Sequence, residues 1–448
     1  MTKIKPRDRD ALLQALRSGV VPRVGQHLIQ VGRQREIEAM VKDLETIADG
    51  GTSFRLVIGE YGSGKTFFLN LVRAVALEKK LVTVHADLTP ERRLHATGGQ
   101  ARSLFAELMK NLSTRTKPDG GALAGIIERF IANAKTQASA KGLQSDDIIR
   151  SKLSGLVEMV NGFDFAEVIV AYCRGFETGQ EQLKSDALRW LRGEYTTKTE
   201  ARQALGVRTI IDDASFYDQL VLLSRFVTLA GYNGLLVCLD EMVNLYKLGN
   251  TQARNSNYEQ ILRILNDTLQ GNNQGLGFIM GGTPEFLMDM RRGLYSYAAL
   301  QSRLAENTFA KNGLVDFTHP VLRLSSLSQE EYYVLLQKLR FVYAHGEPND
   351  YLLPDEALSA FMEHCNQRIG DYYFRTPRTT ITAFINLLAV LDQNEQADWL
   401  ELLGQVPVER DMGFENDSFS NELATQENVS VSLPIGGNVD ELASFKLQ

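Results

Sequence analysis

The run Gly59-Glu60-Tyr61-Gly62-Ser63-Gly64-Lys65-Thr66 constrains this chain more than any other stretch. It fits G-x-x-x-x-G-K-[ST] and stands between a short apolar run, Phe54–Ile58, and a helical pattern from about Lys65 to Lys80. A second apolar run, Leu81–Ala86, follows. Strand, glycine-rich turn, helix, strand is the order of a parallel α/β sheet. In that setting the glycines let backbone N–H groups converge on phosphate oxygens, and the helix N-terminus adds a favourable dipole. Lys65 then neutralises the β- and γ-phosphates of ATP, and the Thr66 hydroxyl coordinates Mg²⁺.

Such a cradle also needs a carboxylate for the metal and a base for the attacking water. Gly234–Glu241 (GLLVCLDE) supplies both. Its apolar strand delivers Asp240 to the carboxyl edge of the sheet, where it can hold Mg²⁺ through water. Glu241 is placed to polarise the water. A strand at Leu276–Met280 is expected beside that of Asp240 and leads to Thr283, which either orients the water or simply caps the turn ahead of Pro284. Arg303, in Leu300-Gln-Ser-Arg-Leu304, follows a helix and could reach the γ-phosphate of a neighbouring subunit. Arg291 and Arg292 compete for that role, and a surface salt bridge is the plainer reading of Arg303. Arg378, in Arg375-Thr-Pro-Arg378, opens a helix in the last helical block, where a lid arginine facing the phosphates would couple nucleotide state to lid position. Arg375 could do the same.

The remaining composition bounds the organisation. At 448 residues the chain is long enough for two or three domains. Strand patterns nearly vanish between about 97 and 230, where apolar residues recur at helical spacing. A last helical block runs from Ser328 to about Asp392. The net charge of −7 looks unfriendly to nucleic acid, yet residues 409–448 hold eight acids and two bases, so the rest is essentially neutral. Charge therefore says little about what the body binds. Three scattered cysteines give neither a disulfide framework nor a zinc pattern, and Cys238 reads as a small apolar strand residue. His85 and His95 show no ligand spacing. With no signal-like or membrane-length apolar run, a soluble cytoplasmic protein is expected. Within the insertion, Lys184–Arg208 has six bases against three acids around Trp190 and Tyr195, either a nucleic-acid groove with stacking or a solvated helix face over a core Trp. Ser113–Lys117 is a weaker basic candidate. Leu442, Phe445 and Leu447 in the polar tail read as a docking peptide or a frayed end.

These pieces, in this order, resemble an AAA+ ATPase of the initiator and helicase-loader clade. Val31-Gly32-Arg33-Gln-Arg-Glu36-Ile37 is similar to the opening motif of that clade, which implies that Gly32 and Arg33 lie beside the adenine. Gly59–Thr66 matches Walker A, Leu235–Glu241 Walker B, Thr283 sensor 1, Arg303 the arginine finger and Arg378 sensor 2. More narrowly, ALRSGVVPRVGQHLIQVGR, RLVIGEYGSGKTFFL and ADLTPERRLHATGGQA resemble the P-loop ATP-binding proteins of BREX and related phage-defence islands, over about residues 8–400. The resemblance implies an α/β fold with an AAA+ P-loop NTPase parallel sheet over 1–320, a helical insertion at about 97–230, a helical lid over 321–405 and a flexible acidic tail over 406–448. It also implies a Mg²⁺-dependent ATPase that forms a homo-oligomer and remodels or loads a partner, a helicase or another defence protein, with no membrane role. Two alternatives stand beside it: an ATP-gated switch or scaffold with slow hydrolysis, and an initiator-like DNA binder. DNA contact, direct or through the partner, stays open. The stretch after the lid is too short for the winged helix that initiators place on DNA.

Overall fold

A computed structural model describes residues 4–310, 315–370, 377–394 and 396–405. The chain divides into Met1–Glu409 and Arg410–Gln448; the second unit, with Leu442, Phe445 and Leu447, lies outside the described residues. Arg375 does too.

Five strands form the sheet: β1 (Thr52–Gly59), β2 (Val82–Asp87), β3 (Leu235–Asp240), β4 (Leu276–Gly282) and β5 (Val321–Leu324), in the order β2-β3-β4-β1-β5. Every pairing is parallel, so all carboxyl ends share one edge. The expected neighbourhood of the Asp240 strand and Leu276–Met280 is found, Leu235 pairing with Leu276. Parallel sheets bury both faces, which explains the near-continuous apolar runs. Successive side chains go to opposite faces. Val57, Leu236, Cys238 and Ile279 meet the helices Gln34–Ala48 and Lys65–Glu78 through Met40, Leu44, Phe68 and Val72. Leu56, Val237, Leu239 and Phe278 share the opposite core with Phe105, Phe226 and Ile261. Cys238 is thus the small apolar strand residue expected, its thiol pushed up to about 12 chiefly by burial.

Seven helices lie between β2 and β3, within the span expected to be helical. One of them, Lys198–Leu205, is short; it buries Ala201 and is capped by Thr197, whose side chain accepts from the Glu200 N–H. Of the two readings of Lys184–Arg208, burial favours a core Trp over a stacking groove. Trp190 and Tyr195 are each 1% exposed, their polar tips bonded to Thr209 O (2.8 Å) and Asp186 Oδ1 (3.3 Å). No face of either ring is available to a base. Among the nearby cations, Lys184 pairs with Glu181 and Arg189 with Glu200. Ser113, at the start of the other basic candidate, instead makes an antiparallel bridge to Thr83 and covers part of the β2 edge.

Helices Gln329–Tyr343, Asp355–Ile369, Pro377–Gln393 and Trp399–Gln405 occupy the stretch expected to be a helical lid. At the start of that stretch, Val321–Leu324 pairs with β1 and completes the sheet. The N-terminal helix Pro6–Arg17 shares a hydrophobic core with these helices. Leu12, Leu13 and Leu16 pack with Leu336, Phe384 and Leu388, and Thr382 donates to Leu16 O at 2.9 Å.

Candidate functional site

The glycine-rich loop leaves β1 at Gly59 and enters a helix at Lys65. Gly62 and Gly64 have φ of +77° and +80°, a left-handed conformation that side-chain-bearing residues adopt at a cost. Gly59 answers to space as well: a Cβ there would stand 2.4 Å from Ser63 Oγ and 3.0 Å from Leu324 O. Lys65 Nζ donates to Gly59 O (2.8 Å) and Glu60 O (2.9 Å), so the ammonium lies over its own loop. Burial lowers its pKa, while Asp240, Glu241, Glu60 and Glu285 favour the charged form.

The second half of the site meets the first through one short contact. Thr66 Oγ1 donates to Asp240 Oδ2 at 2.6 Å, across 174 residues of sequence. The other carboxylate oxygen, Oδ1, accepts from the Glu241 N–H at 2.9 Å. Room for that carboxylate comes from Gly281 on β4, where a Cβ would sit 2.4 Å from Asp240 Oδ1. Glu241 has φ of +56°, held by that bond and by Met242 N–H donating to Gly281 O at 3.0 Å. A non-glycine residue in this region stores about 1–3 kcal/mol of strain, and such strain collects at functional sites. Burial, then the charges of Asp240 and Asp87, raises the Glu241 pKa; Lys65 and Lys247 oppose them.

Asp87 went unassigned in the sequence, where it is one acid after one strand. Register supplies what was missing: β2 pairs with β3 so that Asp87 lies opposite Asp240. Two hard oxygen donors 2.6 Å apart, with acids around them, suit Mg²⁺, which takes one or two protein ligands and fills its octahedron with waters and substrate phosphates.

The remaining assigned residues fall into two groups. Arg33, Tyr61, Gly62, Lys65, Glu241 and Arg378 all line one cleft, whose apolar wall includes Val20, Val31, Ile37, Leu327 and Ile381. Charged loop on one side and apolar wall on the other suit a nucleotide's phosphates and base. Gly32 lies behind it, against the Glu331 carboxylate. Thr283, at the end of β4, accepts from the Phe286 N–H at 3.4 Å and so caps the helix Pro284–Met288, leaving its hydroxyl proton for another acceptor. Arg303 is exposed and lies away from the cleft, donating to Asn266 Oδ1 (2.7 Å) and Ala299 O (2.9 Å). Of its competitors, Arg292 reaches the Tyr246 and Leu248 carbonyls of its own chain, whereas Arg291 is exposed.

Compared with known families, residues 4–406 match the family model described as BREX system ATP-binding protein BrxC/D. No curated protein matches the chain. No helix among the described residues is long and apolar enough to cross a membrane.

Proposed function

The chain belongs to the BREX system ATP-binding protein BrxC/D family, ATP-binding proteins of a phage-defence system, and from that premise we propose that it is a Mg²⁺-dependent ATPase that oligomerises to remodel or load a DNA-processing partner. A helicase is the kind of partner that fits, and the cytoplasm is where it acts. The observation that carries this reading is the contact of Thr66 with Asp240, with Glu241 next in sequence. Bound there, Mg²⁺ would offset charge on the β- and γ-phosphates. Thr66 and Asp240 would hold the ion, Lys65 would draw phosphate charge, and the loop N–H groups would orient the phosphates. Glu241, raised in pKa yet facing Lys65, accepts the proton of the attacking water. Thr283 and Arg378 are proposed to position water and lid, and Arg303 to act on a neighbouring subunit's nucleotide.

Phosphate release by the wild type, Lys65→Ala and Glu241→Gln tests this. Lys65→Ala should lose ATP binding, while Glu241→Gln should bind ATP and lose turnover. Binding without any wild-type hydrolysis would leave an ATP-gated switch instead, and turnover untouched by Glu241→Gln would remove Glu241 as the base. Native mass measurement with and without ATP and duplex DNA reads oligomer and DNA capture in one experiment.

A further inference from the structure

We propose that Arg33 is a positioning residue that locks the phosphate loop to the base of the lid, rather than a residue that touches nucleotide. This rests on the ATP-binding reading above and names how that site is held in shape. Arg33 begins the helix Gln34–Ala48 in a left-handed conformation, φ +57°. Its Nη2 donates to two carbonyls, that of Ser63 in the phosphate loop and that of Ser325 at 3.4 Å, just after β5. Loop and lid linker are therefore bridged by a single guanidinium.

The consequence for phosphate binding follows from peptide geometry. A trans peptide unit points its C=O and the next N–H in opposite directions. With the Ser63 carbonyl turned towards Arg33, the Gly64 N–H is turned away from it. Gly64 makes this approach possible, since a Cβ there would stand 3.2 Å from Arg33 Nη1. Gly64 is also the N-cap of the Lys65 helix, whose first N–H groups have no partner within the helix. Arg33 thus sets the loop peptide that presents a donor at a helix N-terminus.

On the other side the lid is built onto the same point. A Cβ at Gly32 would overlap the Glu331 carboxylate, at 2.0 Å from its Oε1. That carboxylate closes the capping box of the first lid helix, accepting from the Ser328 N–H at 2.9 Å, while Ser328 Oγ accepts from the Glu331 N–H at 3.2 Å. Burial lowers the Arg33 pKa, while Glu36 and Glu331 both attract its charge. Any shift of Ser325–Glu331 pulls on Arg33, and through it on the Ser63 carbonyl.

Arg33→Ala and Arg33→Lys test this in the full chain, with Lys65→Ala as control. Affinities for Mg-ATP and AMP are measured by competition, and hydrogen exchange is followed at Ser325–Glu331 with and without Mg-ATP. We expect Arg33→Ala to weaken Mg-ATP binding by tenfold or more and AMP binding by less than threefold, because the cradle and not the base site is disturbed. ATP-induced protection at Ser325–Glu331 should be present in the wild type and lost in Arg33→Ala even when nucleotide is saturating. Arg33→Lys, which keeps the charge on a shorter stem but loses the rigid planar guanidinium, should recover part of the affinity and little of the protection. Equal losses for ATP and AMP would mean direct contact with the nucleoside and overturn the proposal. Unchanged ATP affinity, or protection retained at saturation, overturns it as well. If the wild type itself fails to bind Mg-ATP, or Lys65→Ala binds as well as it does, the ATP reading fails first.

Discussion

Three acids share the carboxyl edge of β2 and β3, and they are not equivalent. Asp240 is bonded on both oxygens, by Thr66 and by the Glu241 N–H. Glu241 is held above the ordinary glutamate range by burial first, then by Asp240 and Asp87. Asp87 is itself raised, by desolvation and then by Asp240, with Arg92 opposing. A general base must be ionised to take a proton, so turnover should be lost as pH falls through the raised Glu241 pKa. Asp87→Asn removes one negative neighbour, which stabilises the ionised form of Glu241. The acid limb of kcat against pH, at saturating Mg-ATP, should therefore move to lower pH. A limb that stays in place or moves upward would show that Asp87 does not act on Glu241. Sequence could not offer this pair: the distance from Asp87 to Asp240 is closed only by strand register.

At the scale of elements, the N-terminal helix Pro6–Arg17 shows an amphipathic face, but sequence does not say what covers it. Apolar residues at helical spacing identify a face, and spacing carries no address for the partner. Here the partner lies more than 300 residues downstream, where Leu12 and Leu16 enter the lid core with Phe384 and Leu388. β5 escaped for a different reason: Val321-Leu-Arg-Leu324 is four residues long and exposes Arg323, so it resembles any loop leading into a helix. The glycine-rich loop, by contrast, was legible because its chemistry is local: one strand end, one turn and one helix start make it. Leu12 is fully buried at 0% exposure, and Leu12→Ala should destabilise by about 2–5 kcal/mol. Because Gly19 and Val20 on the same segment line the cleft, ATP affinity should fall alongside. Urea unfolding followed with and without Mg-ATP checks both effects. Loss of stability without loss of affinity would mean that the N-terminal helix supports the lid alone.

For the molecule as a whole, the place of Arg303 outside the cleft lining bears on what the chain can do alone. Every other assigned arginine near the nucleotide site, Arg33 and Arg378, lines the cleft of its own chain. Arg303 is instead exposed on the short helix Ala298–Leu304, steadied by Asn266 and Ala299 through Nε and Nη1. A side chain outside the cleft of its own chain is proposed to serve a neighbour's nucleotide. Turnover per chain should then rise with protein concentration and level off once assembly is complete. Arg303→Ala should keep the ATP affinity of the wild type but lose that rise, with kcat at saturating protein lower by about 10³-fold if the arginine stabilises transition-state charge. Arg291→Ala, an exposed arginine on the neighbouring loop, serves as the control and should retain the rise. Mixing decides the direction of donation. Glu241→Gln chains, which keep Arg303 but cannot hydrolyse, should restore turnover when added to Arg303→Ala chains, whose own Glu241 is intact. If the mixture is no more active than Arg303→Ala alone, Arg303 does not act across subunits and belongs to the surface of a single chain.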